Sequence, residues 1–121
     1  MWAEARGEPV LGRLAVWWVI SNRSDRRDET PKEVVLAKNQ FSWTRPNDPN
    51  RSQVLDAWKH DPSGWLAVDV ISSLAESGCT TDPTSGATEY YNPALSSPSW
   101  GRGSPGWKEH TVIGHHVFGV A

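Results

Sequence analysis

The sequence contains a single cysteine, Cys79, so it cannot form an internal disulfide or a zinc site built from several cysteines. No stretch approaches the roughly 18 apolar residues of a membrane-spanning helix, and we predict no membrane partner. A basic excess is also missing, since 12 lysines and arginines stand against 14 acidic residues, a formal net charge of −2. Nucleic-acid-binding domains usually carry such an excess, so we predict no nucleic-acid partner.

The N-terminal 20 residues have an apolar stretch, but they also carry Glu4, Arg6, Glu8 and Arg13, and no small-residue cleavage site follows. We therefore expect no signal peptide in this chain. The length of 121 residues suits one domain spanning 1–121.

Tryptophan is the residue type in clear excess, with eight copies in a small domain. A core of this size needs fewer, because each buried indole N–H also requires a hydrogen-bond partner. Packing explains some of them, and the others are candidates for a groove in which sugar rings stack.

The local patterns predict a mainly helical chain with a small β element near its C-terminus. Gly7 and Pro9 separate a short helix over 2–6 from a second helix that we expect to end near Ser21-Asn22, before a polar loop over 23–29. The apolar face expected for this second helix comprises Leu11, Leu14, Ala15, Trp18 and Val19.

Two further helices have clear start signals. Thr30-Pro31-Lys32-Glu33 is a capping box, and Asp61-Pro62 combines a cap with proline at the first helical position. One or two helical turns are expected over 52–59. Extended segments are expected over 87–91, 111–113 and 117–118, with an irregular loop over 92–107.

Glu8 lies at the elbow between the two N-terminal helices, beside the helix that must pack into the core. Cleavage of a glycosidic bond requires an acid to protonate the leaving oxygen, and partial burial can keep a carboxyl protonated at neutral pH. The start of the following helix favours the charged form instead. The alternative interpretation is an exposed carboxylate at a helix N-terminus.

Four short motifs, in order, resemble those of the SleB/CwlJ cell wall hydrolase family, known from spore cortex-lytic enzymes and also carried by phages. The first is Glu4-Ala5-Arg6-Gly7-Glu8-Pro9 with Gly12, Ala15-Val16, Val19 and Asn22-Arg23. The others are Gln40-Phe41-Ser42, then Gly86-Ala87 with Tyr90-Tyr91-Asn92-Pro93, and finally Ile113-Gly114-His115-His116-Val117-Phe118. The last motif gives His116, rather than His115, the family position.

The resemblance implies an α+β, mainly α, lysozyme-like fold related to lytic transglycosylases, with peptidoglycan glycan strands as its partner. It implies that Glu8 cuts the bond between N-acetylmuramic acid and N-acetylglucosamine. In the transglycosylase reaction, Glu8 protonates the leaving oxygen and then takes the proton of the muramic acid 6-hydroxyl, which closes a 1,6-anhydro ring. We expect no cofactor, no metal, and a monomer that acts on the cell wall outside the cytoplasm, as a phage lysin or an excised domain.

Residues of the later motifs and of the long loop are the predicted substrate contacts. They are Phe41, Ser42, Tyr90, Tyr91, Asn92, Trp100 and His116. Core packing is the alternative for one of the two tyrosines and for His116. For Ser42, the alternative is an ordinary turn residue. For Trp100, the alternative is a residue that holds the loop on the core.

Glu89 is the residue most able to change the predicted reaction. The family more often has an apolar or aromatic residue at this position, so Glu89 adds a carboxylate. A second carboxylate near Glu8 would permit ordinary hydrolysis by a muramidase. Two other classes stay open. One is a non-catalytic glycan-binding module, and the other is a metal-dependent nuclease or peptidase that would use His110, His115, His116 and Cys79.

Overall fold

The computed structural model describes residues 1–5, 7–37 and 41–121, with helices in the first two thirds of the chain and strands in the last third. The helices are α1 (Trp2–Ala5), α2 (Val10–Arg27), α3 (Pro31–Leu36), α4 (Arg51–Leu55), α5 (Ala57–His60) and α6 (Pro62–Glu76), with a 3-10 helix at Ser42–Thr44. The strands are β1 (Glu89–Tyr91), β2 (Lys108–Ile113) and β3 (His116–Val120). The predicted α+β, mainly α, class is confirmed. Within the described ranges, no helix has the length and apolar character needed to cross a membrane.

The three strands form an antiparallel sheet in the order β1-β3-β2. Tyr90 pairs with Phe118 across β1 and β3, and Ile113 pairs with His116 across β2 and β3. Only Gly114 and His115 separate the paired Ile113 and His116, so the second and third strands form a tight hairpin. This hairpin places His116 at the start of the central strand.

The core lies where α2 packs against the sheet. Its central cluster consists of Ala15, Val19, Ala87, Ile113 and Phe118. The predicted apolar face of α2 is partly wrong, because Leu11 is 51% exposed whereas Gly12 and Val16 are buried. Small side chains on the buried face allow the sheet to approach the helix closely. The sequence pattern missed this face because it was read from the spacing of large apolar residues.

The end of α2 was also predicted wrongly, because the helix continues to Arg27 through most of the expected loop. Asn22 Nδ2 donates hydrogen bonds to Asp82 Oδ2 at 2.9 Å and to the Ala87 carbonyl at 3.0 Å. Arg23 is buried, and its Nε donates to the carbonyl of Thr88. These polar side chains point inward and extend the buried face of the helix beyond its last apolar residue.

Both helices with predicted caps begin where expected. Thr30 Oγ1 accepts a hydrogen bond from the Glu33 N–H at 3.2 Å, and Asp61 Oδ1 accepts one from the Gly64 N–H at 3.2 Å. A proline follows each cap at the first helical position. Local sequence signals therefore define the starts of α3 and α6.

Replacing Thr30 by alanine should lower the free energy of unfolding by about 1 kcal/mol, because the Glu33 N–H loses its acceptor. Urea unfolding followed by tryptophan fluorescence measures this change. Lys32→Ala, at an exposed position in the same helical turn, is the control and should change the free energy by less than about 0.5 kcal/mol. Equal losses in the two variants would show that the cap does not stabilise α3.

Candidate active site

A cleft of about 740 Å³ runs along β1 and brings together residues from the ranges 4–45 and 89–116. Six of the seven predicted substrate contacts line it: Phe41, Tyr90, Tyr91, Asn92, Trp100 and His116. The side chain of Ser42 lies outside the described part of the chain, as do residues Arg6 and Gln40 of the sequence motifs. Glu4, Arg23, Arg45 and Glu89 supply charged groups to the same lining.

Glu4, in α1, is an acidic residue of the N-terminal motif that lines the cleft. The Tyr90 hydroxyl donates a hydrogen bond to Glu4 Oε2 at 3.1 Å. Burial raises the pKa of Glu4 above its usual value, and the hydrogen bond from Tyr90 offsets only part of this effect. Burial also raises the pKa of Tyr90 well above its usual value, so the hydroxyl keeps its proton and can donate. The cleft thus contains a carboxyl that holds its proton more readily than an exposed glutamate does.

Glu8 occupies the predicted elbow between α1 and α2, but it is buried, which rules out the exposed alternative. Its Oε2 accepts a hydrogen bond from the His115 backbone N–H at 3.2 Å. Its Oε1 lies 3.2 Å from His115 Nδ1 and 3.4 Å from His116 Nδ1. The Glu8 carboxylate therefore connects the start of α2 to the β2–β3 turn.

Two glycines leave room for this carboxylate. A Cβ added to Gly12 would lie 3.2 Å from Glu8 Cβ, and one added to Gly114 would lie only 2.0 Å from Glu8 Oε2. Gly114 also has a φ of 58°, in the first position of a two-residue hairpin turn, where glycine avoids a steric cost. The sequence indicated Gly114 only as a member of the closing motif, whereas the structure adds its contact with Glu8.

His116 lies between Glu8 and the cleft. Its ring meets the Tyr90 ring edge-to-face, with 5.1 Å between centroids. Burial lowers the pKa of His116 below its usual value, and the charge of Glu8 opposes this shift. Contacts therefore run from Glu8 through His116 and Tyr90 to Glu4.

Glu89, the possible second carboxylate, forms an ion pair at the cleft wall. Arg23 Nη2 donates to Glu89 Oε2 at 3.1 Å, and the Arg23 side chain is only 6% exposed. The Phe41 ring lies 5.7 Å from the guanidinium carbon of Arg23. Arg23 Nη1 is also buried and has no hydrogen-bond partner among the described residues. Sequence reasoning missed Arg23 as a cleft residue, because it was placed at the start of a polar loop.

An aromatic cluster fixes the long loop over 92–107 to β1. The Trp100 and Trp107 rings lie 5.6 Å and 5.7 Å from the Tyr91 ring, and 5.7 Å from each other. The Tyr91 hydroxyl accepts a hydrogen bond from the Arg102 N–H at 3.0 Å. This supports the interpretation that Trp100 holds the loop on the core, although its side chain also lines the cleft.

Two residues of the metal hypothesis, His110 and Cys79, contact other groups than the Glu8 carboxylate that His115 and His116 face. His110 Nδ1 lies 3.0 Å from the Thr84 carbonyl, and the exposed Cys79 contacts the Ser77 hydroxyl at 3.2 Å. In the described ranges, no three side chains of histidine, cysteine, aspartate or glutamate are arranged to hold a metal ion. The structure therefore does not bring that set of residues together.

Gly114→Ala should destabilise the protein more than Gly86→Ala. Both glycines have a positive φ, 58° and 85°, but a Cβ at Gly86 meets nothing within 4 Å. The control should therefore lose only the cost of the left-handed conformation, about 1 kcal/mol. Gly114→Ala should lose on the order of 2 kcal/mol more, because the new methyl group displaces the Glu8 carboxylate. Urea unfolding of both variants measures the difference, and equal losses would contradict this contact.

Known proteins resemble the chain over nearly its whole length. The spore cortex-lytic enzyme of Oceanobacillus iheyensis is 32% identical, over 98% of this chain and 38% of the relative. The spore cortex-lytic enzyme of Bacillus cereus is 31% identical, over 98% of this chain and 40% of the relative. The chain thus spans about two fifths of the length of these curated relatives.

Solved structures have the same fold. The catalytic domain of the germination-specific lytic transglycosylase SleB from Bacillus anthracis matches with a TM-score of 0.64 and 27% identity, over 98% of this chain and 85% of that chain. The catalytic domain of Bacillus cereus SleB matches with a TM-score of 0.64 and 26% identity, over 98% and 81% of the two chains. Residues 7–119 also match the family model for cell wall hydrolases. The chain therefore belongs to the cell wall hydrolase family.

Proposed function

We propose that this chain cleaves peptidoglycan glycan strands between N-acetylmuramic acid and N-acetylglucosamine, as a lytic transglycosylase that acts on the bacterial wall. Family membership and the activity named for the matching Bacillus anthracis domain support this proposal. The observation that carries it is Glu4, a cleft carboxyl that accepts a hydrogen bond from Tyr90 and whose pKa burial raises.

The reaction requires one group that gives and then takes a proton. Glu4 donates its proton to the bridging oxygen as the bond from this oxygen to C1 of the muramic acid breaks. The resulting carboxylate then accepts the proton of the muramic acid 6-hydroxyl, while the 6-oxygen bonds to C1. The product is a 1,6-anhydro ring, and no water is consumed. The Tyr90 hydroxyl holds one Glu4 oxygen in place during both steps.

Glu8, the acid expected from the sequence, is the alternative donor. Its carboxylate contacts the backbone of His115 and both imidazoles of the hairpin turn. Of the two glutamates, Glu4 is the one whose side chain lines the described cleft. We therefore assign Glu8 to positioning, because it holds the turn that presents His116 to the cleft.

The other predicted contacts form the proposed binding surface for the sugars. Trp100 offers an indole ring for stacking, and His116 and Phe41 form parts of the wall. Two polar groups are already engaged, since Tyr91 accepts from Arg102 and Asn92 Oδ1 accepts from the Ala94 N–H at 2.9 Å. Of Tyr91 and Asn92, the side-chain amide nitrogen of Asn92 is therefore the group better suited to donate a hydrogen bond to an N-acetyl carbonyl.

A hydrolytic muramidase is the second candidate, favoured by the presence of Glu89 in the same cleft as Glu4. In that reaction a second carboxylate activates water or stabilises the sugar cation. The ion pair between Glu89 and Arg23 engages one Glu89 oxygen and makes this role less suitable. Phage origin of the chain stays a prediction.

Glu4→Gln should reduce cleavage of purified cell walls by a factor on the order of 10²–10⁴, because glutamine cannot donate the proton. Glu8→Gln should lose about tenfold, since its main effect is on the turn and on stability. Loss of turbidity measures the rates, and thermal unfolding measures the stability of each variant.

Glu76→Gln, an exposed position on α6, is the matched control and should behave like the wild type. If Glu8→Gln abolishes activity at an unchanged melting temperature while Glu4→Gln stays active, Glu8 is the acid. Full activity in both variants would refute the role of this motif in catalysis.

The released fragments should end in 1,6-anhydromuramic acid. Mass spectrometry distinguishes these ends from reducing ends, because the hydrolytic product is heavier by one water. Treatment of the same walls with a known muramidase provides the reference for reducing ends. Fragments with reducing ends alone would replace the transglycosylase proposal with the muramidase one.

A further inference from the structure

Leu95 lies in the cleft lining, in the same loop as Asn92, and is 84% exposed. A single exposed leucine is ordinary on a protein surface and does not by itself indicate a ligand. Leu95 differs from such a residue in two respects. A hydrogen-bonded turn holds it at the cleft, and the same turn carries a polar side chain of the cleft lining.

The turn over 92–96 is held by three hydrogen bonds to Asn92. The Asn92 carbonyl accepts from the Leu95 and Ser96 N–H groups, both at 3.0 Å, and Asn92 Oδ1 accepts from the Ala94 N–H at 2.9 Å. Pro93, the second residue of the turn, has its φ fixed by its ring. Because the turn is formed before a ligand binds, a contact with Leu95 costs little backbone entropy.

The side-chain amide of Asn92 has a defined orientation in this turn. Its oxygen must be the atom that faces the Ala94 N–H, because a backbone N–H needs an acceptor. Nδ2, which carries two N–H donors, is therefore the end of the amide that remains for a ligand. One turn thus brings a hydrogen-bond donor and an aliphatic side chain to the same cleft.

An acetamido group has the matching chemistry, since its carbonyl oxygen accepts a hydrogen bond and its methyl group is apolar. Every sugar of the glycan strand in the proposed reaction carries one. On muramic acid the lactyl ether on the neighbouring carbon crowds this group, whereas on glucosamine the neighbouring substituent is a free hydroxyl. The acetamido group of glucosamine is therefore the one better suited to contacts on both its carbonyl and its methyl side.

We propose that Asn92 and Leu95 form a subsite for the N-acetyl group of glucosamine. Asn92 Nδ2 donates to the acetyl carbonyl, and the Leu95 side chain packs against the methyl group. This inference rests on the proposed function and adds to it a specificity for the acyl group, with Leu95 as the residue that determines it. The Trp100 indole, in the same lining, remains for the sugar ring.

The test compares wall strands that differ by one methyl group per glucosamine. Removal of the acetyl group alone would also introduce an ammonium charge near Glu4 and Glu89, so the amine is acylated again. Walls are first acetylated to block their peptide amines, and a deacetylase then frees the glucosamine amines. One half of the sample is acetylated again, and the other half is formylated. The quantity measured is the ratio of kcat/KM on acetyl strands to kcat/KM on formyl strands.

The wild type should prefer acetyl strands about three- to fivefold, chiefly through KM, as expected for burial of one methyl group. Leu95→Ala should bring the ratio to about 1, because the alanine methyl does not reach the acyl group. Leu66→Ala removes a leucine that is 61% exposed on α6 and should keep the wild-type ratio. Equal ratios in the wild type and Leu95→Ala would overturn the proposal.

Asn92→Asp tests the hydrogen-bond donor separately. The aspartate keeps an acceptor for the Ala94 N–H, but it replaces the Nδ2 donor by an oxygen that repels a carbonyl. We expect kcat/KM to fall about tenfold on both preparations with an unchanged acetyl-to-formyl ratio, because both acyl groups have the carbonyl. An unchanged kcat/KM in this variant would contradict the role of Asn92.

Failure of the proposed function has a different signature, since the wild type would then release no fragments from either preparation. Cosedimentation with the two preparations measures binding alone. Stronger retention of the wild type on acetyl strands, lost in Leu95→Ala and kept in Leu66→Ala, would support the subsite. Equal retention of the wild type and Leu95→Ala on both preparations would refute it.

Discussion

The close approach of the β2–β3 turn to the start of α2 is the constraint on which the site depends. Neither Gly114 in the turn nor Gly12 in the helix has a side chain, so the Glu8 side chain fits between the helix and the turn. The His115 N–H supplies the hydrogen bond that a buried carboxylate needs. This contact is one of those that join the N-terminal helices to the C-terminal sheet, and it lies beside His116 at the cleft.

The same motif thereby supplies two carboxyl groups in different environments. Glu8 faces a backbone N–H and two imidazoles, whereas Glu4 lines the cleft and receives its hydrogen bond from a phenol. Environment, rather than residue type, separates the tasks of paired carboxyl groups in enzymes. Contacts from Glu8 through His116 and Tyr90 to Glu4 place both glutamates on one connected path, so the turn is linked to Glu4 through these two rings.

Local signals predicted a large part of the fold. The starts of α3 and α6 follow from Thr30 and Asp61, whose caps act within three residues, and the class follows from the order of helical and extended patterns. The end of α2 could not be predicted in this way. Arg23, which the pattern placed in a loop, lies in this helix and donates to Thr88, 65 positions away, a contact that local sequence does not reveal.

At the candidate site, too, the sequence did not reveal contacts between residues that are far apart along the chain. Ordered motifs predicted five residues that do line the cleft, since a motif preserves positions even where the contacts are unknown, and the long loop supplied the sixth, Trp100. They did not single out Glu4, because two glutamates share one motif and only the contact with the Tyr90 hydroxyl and the position in the cleft lining distinguish them. The Arg23–Glu89 pair was missed because the two residues lie 66 positions apart in the sequence.

This ion pair also constrains how the sequence can diverge. Loss of Glu89 alone would leave a buried guanidinium with one acceptor fewer, and loss of Arg23 alone would leave a carboxylate at the cleft wall without its counter-charge. Either single change is costlier than the exchange of both residues for an apolar pair of similar volume. A relative that has an apolar residue at position 89 and keeps the arginine should therefore provide another acceptor for its guanidinium.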